Sequence, residues 1–230
     1  MNTYRAIIFD MDGVLVDSEP RHIQAFLEVF REMGFGENHG MDFTAYYGRS
    51  DRALWSDFVE RHHPPYPIEH LIAWKQRRFI EIIRREKPIF PAIPGLLDRL
   101  SPRYVLGLAS GSVHPVIEEV LALRNLRWYF QAVASIQDVE HPKPAPDVFL
   151  RAADLLNVRP AECCVLEDAA VGVEAARKAG MDVIAITNTL PREQLTHATH
   201  VVQNYEEIEK LLLSPHPSDP RPSSPQGRRA

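Results

Sequence analysis

The sequence predicts an α/β fold: a Rossmann-like, mostly parallel sheet flanked by helices, with an all-helical cap domain inserted after the first strand. Three observations lead there. From residue 91 onward, short apolar runs alternate with polar or glycine-containing loops and helical patterns, the rhythm of βαβ units. The first apolar run, 6–9, is instead followed by a block, 16–87, in which only helical periodicity is found. Finally, residues able to do chemistry fall just past the ends of apolar runs, where open α/β sheets bind ligands.

Taken in order, Ala6-Ile7-Ile8-Phe9 reads as a buried strand ending in Asp10-Met11-Asp12-Gly13. Pro20 suits the first turn of a helix, and Ile23, Phe26, Leu27 and Phe30 recur at helical spacing until Gly34 and Gly36 stop it. Further helical patterns cover 53–59 and 68–83, separated by Pro64-Pro65-Tyr66-Pro67. A strand is expected at 105–109, the loop Ser110-Gly111-Ser112 after it, and a helix over 116–123 introduced by Pro115. A short strand at 132–134 and a helix over 145–156 follow, the latter with Val148, Phe149, Ala152 and Leu155 on one face. Strand 163–166 ends in Glu167-Asp168, helix 171–179 is closed by Gly180, and strands at 183–187 and 200–202 precede a last helix over 205–213. The expected organisation is a core of 1–15 and 88–213, a cap of 16–87, and a Pro- and Ser-rich tail, 214–230, too polar to order itself.

Composition excludes several classes of function. A chain of 230 residues with 45% hydrophobic content can bury a full core. With a net charge of −5 and dispersed basic residues it makes no electrostatic case for nucleic acid. It has no apolar run long enough to span a membrane and no signal-peptide layout at its first residues. The two cysteines, Cys163 and Cys164, are adjacent in an apolar run and suit core thiols, which points to the cytoplasm. The ten histidines form no zinc-ligand pattern with them.

Alternate residues of an extended chain point the same way, so Asp10 and Asp12 can address one centre, and their mutual repulsion calls for a cation or a shared proton. Ser110, Lys143 and the pair Glu167-Asp168 fall on other loops of the same sheet edge. Together they supply a nucleophile, a second carboxylate, a hydroxyl, an ammonium and an acidic pair. That set equips a site for metal-assisted phosphoryl transfer. Taken singly, Ser110 reads as a turn former, Lys143 as a solvated charge and Glu167-Asp168 as a helix cap.

The motifs Asp10-Met11-Asp12-Gly13-Val14-Leu15, Leu108-Ala109-Ser110-Gly111-Ser112, Pro142-Lys143-Pro144-Ala145-Pro146-Asp147 and Leu166-Glu167-Asp168-Ala169-Ala170-Val171-Gly172 occur in this order. By them the chain resembles the haloacid dehalogenase-like (HAD) hydrolase superfamily, in the branch of sugar-phosphate phosphatases and β-phosphoglucomutases. The resemblance implies Asp10 as nucleophile and Asp12 as general acid and base, holding a proton near neutral pH. It implies a phosphate cradle of Ser110, Gly111 and Lys143. Mg²⁺ is expected on Asp10, Asp12 through its backbone carbonyl, and Asp168, with Glu167 beside them. Dehalogenation is not expected, because the founding dehalogenases have no use for Asp12.

For the cap, the resemblance implies a substrate loop of Gly48, Arg49, Ser50 and Arg52, a histidine, His22, that couples cap closure to Asp12, and a lysine, Lys75, that reaches the site. Arg77, Arg78, Arg84 and Arg85 read as the solvated face of the third cap helix. A mutase must hold a second phosphate. β-Phosphoglucomutases use an Arg just beyond the cap-loop Ser and a Lys-Asn pair after the Ser-x-Ser, where this chain has Asp51, Val113 and His114. The expected activity is therefore hydrolysis of a small phosphorylated metabolite, a sugar phosphate, by a monomer. A hexose-phosphate mutase is the alternative, and a non-catalytic phosphometabolite-binding protein ranks behind it.

Overall fold

The computed structural model describes residues 4–46 and 50–214; Gly48, Arg49 and all of the tail beyond Ser214 lie outside the described residues. Six strands, β1 (Ala6–Phe9), β2 (Val105–Ser110), β3 (Ala132–Ser135), β4 (Cys163–Glu167), β5 (Asp182–Ile186) and β6 (His200–Val202), form one sheet in the order β3-β2-β1-β4-β5-β6. Every neighbouring pair is parallel. The chain builds outward from β1 to β3 and then returns to the other side of β1 with β4, which makes the β1–β4 carboxyl edge the switch point where such sheets bind ligands.

Helices α1 (Glu19–Glu32), α2 (Asp51–His62) and α3 (Ile68–Glu86) lie between β1 and β2 in sequence and form the cap. Pro20 stands in the first turn of α1, as its fixed φ favours, and α3 begins directly after Pro67. The cap has an apolar core of its own, built around Phe26, Phe30, Trp55 and Phe58. Ring centroids stand 5.2 Å apart for Phe26–Trp55 and 4.5 Å for Phe30–Phe58. Such pairs contribute about 0.5–1.5 kcal/mol each beyond area burial.

After the cap come α4 (Ile93–Leu100), α5 (His114–Ala122), α6 (Asp147–Leu156), α7 (Ala170–Lys178) and α8 (Tyr205–Leu213). One sheet face packs with residues of α4, α5 and α8, the other with α6 and α7. Helix α4 has no counterpart in the sequence reading. Its buried Ile93, Leu96, Leu97 and Leu100 follow helical spacing, but Pro94 and Gly95 in the first turn disguise it as a loop. The other elements match expectation within a few residues. The largest extension is α2, which starts at Asp51 because extended Ser50 supplies its N-cap position.

Candidate active site

Register alone brings the motifs together. Phe9 is level with Leu108 on one side and Leu166 on the other, so the residues that follow share one edge. There Asp10, Glu167 and Asp168, all buried, carry oxygens within 4.8 Å of one another. Lys143 arrives from the β3–α6 connection and donates to Asp10 Oδ1 at 2.5 Å and Glu167 Oε1 at 2.7 Å. The other oxygen of Glu167 accepts from the amides of Asp168, at 2.7 Å, and Ala169, at 2.8 Å. Glu167 therefore fixes both the lysine and the turn into α7.

Two glycines make this crowding possible. Gly13 sits at φ +74, and a Cβ there would stand 1.8 Å from Asp168 Oδ2; a Cβ on Gly172 would stand 1.6 Å from Glu167 Oε1. Thr189, in the loop after β5, donates to Asp168 Oδ2. Asn188 donates to the Gly13 carbonyl at 2.7 Å, and Tyr205 to the Val14 carbonyl at 2.8 Å. These braces escaped the sequence reading. The one signal for them was a run of polar residues, Thr187-Asn188-Thr189, past the end of a strand.

Three buried carboxylates face one ammonium, and their proton affinities record the imbalance. Burial drives the Asp10 carboxyl up; Lys143 pulls against it, Glu167 and Asp12 push with it, and the net is about 8. Burial, then Glu167 and Asp10, raise Asp168 well above the carboxylate range. Burial disfavours the charge of Lys143, but Asp10 and Glu167 more than offset it and hold its pKa above the ordinary value. An all-oxygen donor set with surplus negative charge is what a small divalent cation requires, so Asp10 and Asp168, with Glu167 adjacent, fit a metal site.

Asp12 lies apart from this cluster. His22 Nε2 is 3.2 Å from its Oδ1, and Ser112 donates to its Oδ2 at 3.2 Å. Lys75 Nζ stands 2.5 Å from His22 Nδ1 and 2.6 Å from Asp51 Oδ1. Lysine has no acceptor, so Nδ1 receives its hydrogen bond and Nε2 carries the hydrogen given to Asp12. The His22 ring stacks on Phe79 at 3.9 Å, which fixes its plane. Burial would raise the Asp12 pKa, but the hydrogen bond and electrostatic pull of His22, with Lys75 behind it, bring it down to about 2. Without metal or substrate these donors favour the ionised form of Asp12, where the resemblance implies a proton held near neutral pH.

A cavity of about 430 Å³ lies between cap and sheet, lined by Asp10, Asp12, Lys143 and Asp168 below and by His22, Ser50, Arg52 and Lys75 above. Gly111 and Ser112 also line it. Ser110 is fully buried, and its Oγ accepts from the Ser112 amide at 3.0 Å. Arg52 points to Glu69 at 3.2 Å, while the other two cap-loop candidates, Gly48 and Arg49, lie outside the described residues. His114 is paired with Asp138 at 2.9 Å. Arg84, read as solvated, is exposed, and from there it pairs with Glu119 on α5. No helix among the described residues is long and apolar enough to cross a membrane.

Comparison with known proteins agrees with this geometry. The haloacid dehalogenase-like hydrolase model matches residues 7–186. The chain is 32% identical over 186 residues to fructose-1-phosphate phosphatase YqaB of Escherichia coli (strain K12), covering 80% of this chain and 96% of that protein. To hexitol phosphatase B of the same organism it is 33% identical over 187 residues, covering 79% and 82%. The crystal structure of β-phosphoglucomutase from Clostridium difficile superposes with a TM-score of 0.77 at 26% identity, covering 91% of this chain and 97% of that one. Since the matched stretch runs from the first strand to the fifth and carries the whole acidic edge, the chain belongs to the haloacid dehalogenase-like hydrolase family.

Proposed function

We propose that this chain is a Mg²⁺-dependent phosphatase that hydrolyses a small sugar phosphate through an aspartyl phosphate on Asp10. The observation that carries the reading is the surplus of buried carboxylate charge, Asp10, Glu167 and Asp168 against Lys143, on the floor of a metabolite-sized cavity with Asp12 at its side. Asp10 and Asp168 would hold the ion, together with the backbone carbonyl of Asp12. When bound, Mg²⁺ neutralises charge so that a carboxylate and a phosphate dianion can approach.

An Asp10 oxygen attacks phosphorus and the bond to the leaving oxygen breaks, with Lys143 and the loop of Ser110 and Gly111 stabilising the phosphoryl oxygens. Asp12 gives that oxygen its proton. An entering dianion adds negative charge beside Asp12 and raises its proton affinity, so the carboxylate takes up a proton from solvent as substrate binds and holds it for the leaving oxygen. Water then attacks phosphorus, the Asp10–phosphorus bond breaks, and Asp12 takes the water's proton.

The named phosphatase relatives support hydrolysis. The likeness to a β-phosphoglucomutase favours a second reading, a hexose-phosphate mutase. Against it, the positions at which mutases hold the second phosphate are Asp51, paired with Lys75, Val113, and His114, paired with Asp138. We place the activity on a monomer in the cytoplasm, where the buried free thiols of Cys163 and Cys164 remain reduced.

The test is phosphate release with Mg²⁺ across a panel of sugar phosphates, with β-glucose 1-phosphate also followed for glucose 6-phosphate. Release that disappears in Asp10→Asn supports the reading. Bisphosphate-dependent formation of the 6-phosphate overturns it in favour of the mutase.

A further inference from the structure

We infer that the cap side of the cavity selects against a second phosphate and for an uncharged, hydroxyl-rich alcohol, with Glu19 and Asp51 as the residues that do so. The inference rests on the hydrolase reading and concerns what the leaving group is. Glu19, the first residue of α1, and Asp51, the first of α2, both line the cavity. Among the described residues Glu19 has neither a hydrogen-bond nor an ion-pair partner, so its two oxygens remain acceptors for whatever enters.

The cations on this wall are already engaged. Lys75 is fully buried and gives one hydrogen bond to Asp51 and another to His22. Its ammonium lies 4.6 Å from the Phe26 ring centroid and 5.3 Å from that of Phe79. Its charge is thus neutralised within the cap. Arg52 is held by Glu69 at the cap surface. With Lys75 matched by Asp51 and Arg52 turned to Glu69, the described part of this wall presents the charge of Glu19. A second phosphate placed against Glu19 meets like charge with no counter-ion among the described residues, a discrimination of about 100-fold in kcat/KM.

Carboxylates are acceptors only, and a pair of alcohol O–H groups on adjacent carbons matches the two oxygens of one carboxylate. Between them, Ile23, Leu54 and Ile72 give the cavity apolar wall against which the C–H faces of a polyol can lie. The wall therefore suits the monophosphate of a polyhydroxylated alcohol, a sugar or sugar alcohol.

The experiment compares kcat/KM for phosphate release from a ketohexose 1-phosphate, its 1,6-bisphosphate and propyl phosphate, which has no hydroxyls, in wild type, Asp51→Asn and Glu19→Gln. Wild type should favour the monophosphate over the bisphosphate by about 100-fold. Asp51→Asn, which frees the charge of Lys75, should narrow that ratio by about tenfold through a gain on the bisphosphate. Glu19→Gln should lower activity on the ketohexose phosphate about tenfold more than on propyl phosphate. Equal kcat/KM for mono- and bisphosphate in wild type overturns the inference, as does a ratio that neither variant moves, which would make the selection steric. Calorimetric binding of the two sugars to Asp10→Asn reads the same discrimination without turnover: preference for the monophosphate supports the inference even if no substrate is hydrolysed, a result that would sink the hydrolase reading alone. Should Asp51→Asn fail to fold, the near-isosteric Glu19→Gln carries the test.

Discussion

Replacing Gly172 by Ala sets two effects of opposite sign against each other. Gly172 lies in the first turn of α7, and by helix propensity alone Ala stabilises such a position by about 0.5–1 kcal/mol. The new Cβ, however, would stand 1.6 Å from Glu167 Oε1 and 2.0 Å from its Cδ. Relief needs a displacement of about 2 Å to reach ordinary contact distance. In solvent a glutamate tip moves freely, but Glu167 is 1% exposed with one oxygen on Lys143 and the other on two backbone amides. Hydrogen bonds to a charged group contribute about 1.5–3 kcal/mol each, and at least the two amide bonds are lost or weakened. The clash therefore wins, with a net destabilisation of about 3 kcal/mol, or roughly 6–12 °C in Tm for a chain of this size. Because Glu167 positions Lys143, kcat/KM for phosphate release should fall about 100-fold as well. Denaturant unfolding and steady-state kinetics on the single variant, on Glu167→Ala and on the pair check this, since removing the glutamate side chain first should abolish the cost of the alanine. A Gly172→Ala protein as stable and as active as wild type would refute the reasoning.

Three further predictions follow from the same charges. Lys143→Met leaves Asp10 and Glu167 buried without their counter-ion, and should destabilise the metal-free protein by about 3–5 kcal/mol in denaturant unfolding, part of it restored by Mg²⁺. The Asp10 carboxyl is raised from 3.8 to about 8, so its contribution to stability is full below pH 4 and is lost as pH rises through 8. Asp12 is shifted the opposite way and is already ionised across that window, so metal-free Tm should fall between pH 6 and 8, and the Mg²⁺-induced rise in Tm should grow over the same range. A Tm shift with Mg²⁺ that is independent of pH would contradict this. His22→Gln takes the charge-assisted partner from Asp12, raises its proton affinity, and should therefore move the basic limb of the kcat/KM profile, where the acid form of Asp12 is lost, to higher pH; a profile identical to wild type would contradict this.

The sheet was legible because its strands are buried on both faces and so read as unbroken apolar runs, from Ile7 in β1 to Val183 in β5. Asp10, Lys143, Glu167 and Asp168 were legible for a related reason: a parallel sheet collects the residues after its strands at one edge whatever their distance in sequence. What stayed hidden depends on contacts no local pattern encodes. Thr189 and Asn188 brace the first loop from the far end of the chain, and polar loop residues give no sign of which carbonyl they will meet. Gly172 looks like any helical glycine until Glu167 is seen to occupy the space of its missing side chain. Arg84 lies on the exposed face that periodicity gives it, and its surface pairing with Glu119 of α5 is a contact that no local pattern encodes.

The ionisation of Asp12 failed for the same reason, and its correction ties the cap to the chemistry. Nothing near Asp12 in sequence predicts a pKa of about 2; the donors that produce it, His22 and Lys75, come from α1 and α3. Lys75 keeps an ammonium at 0% exposure only because Asp51, His22 and the faces of Phe26 and Phe79 surround it. Desolvating a charge costs several kcal/mol unless such partners are in place, so the aromatic cap core that positions them is part of the active site's energetics. In this structure the proton affinity of Asp12 is therefore set by residues that the cap supplies.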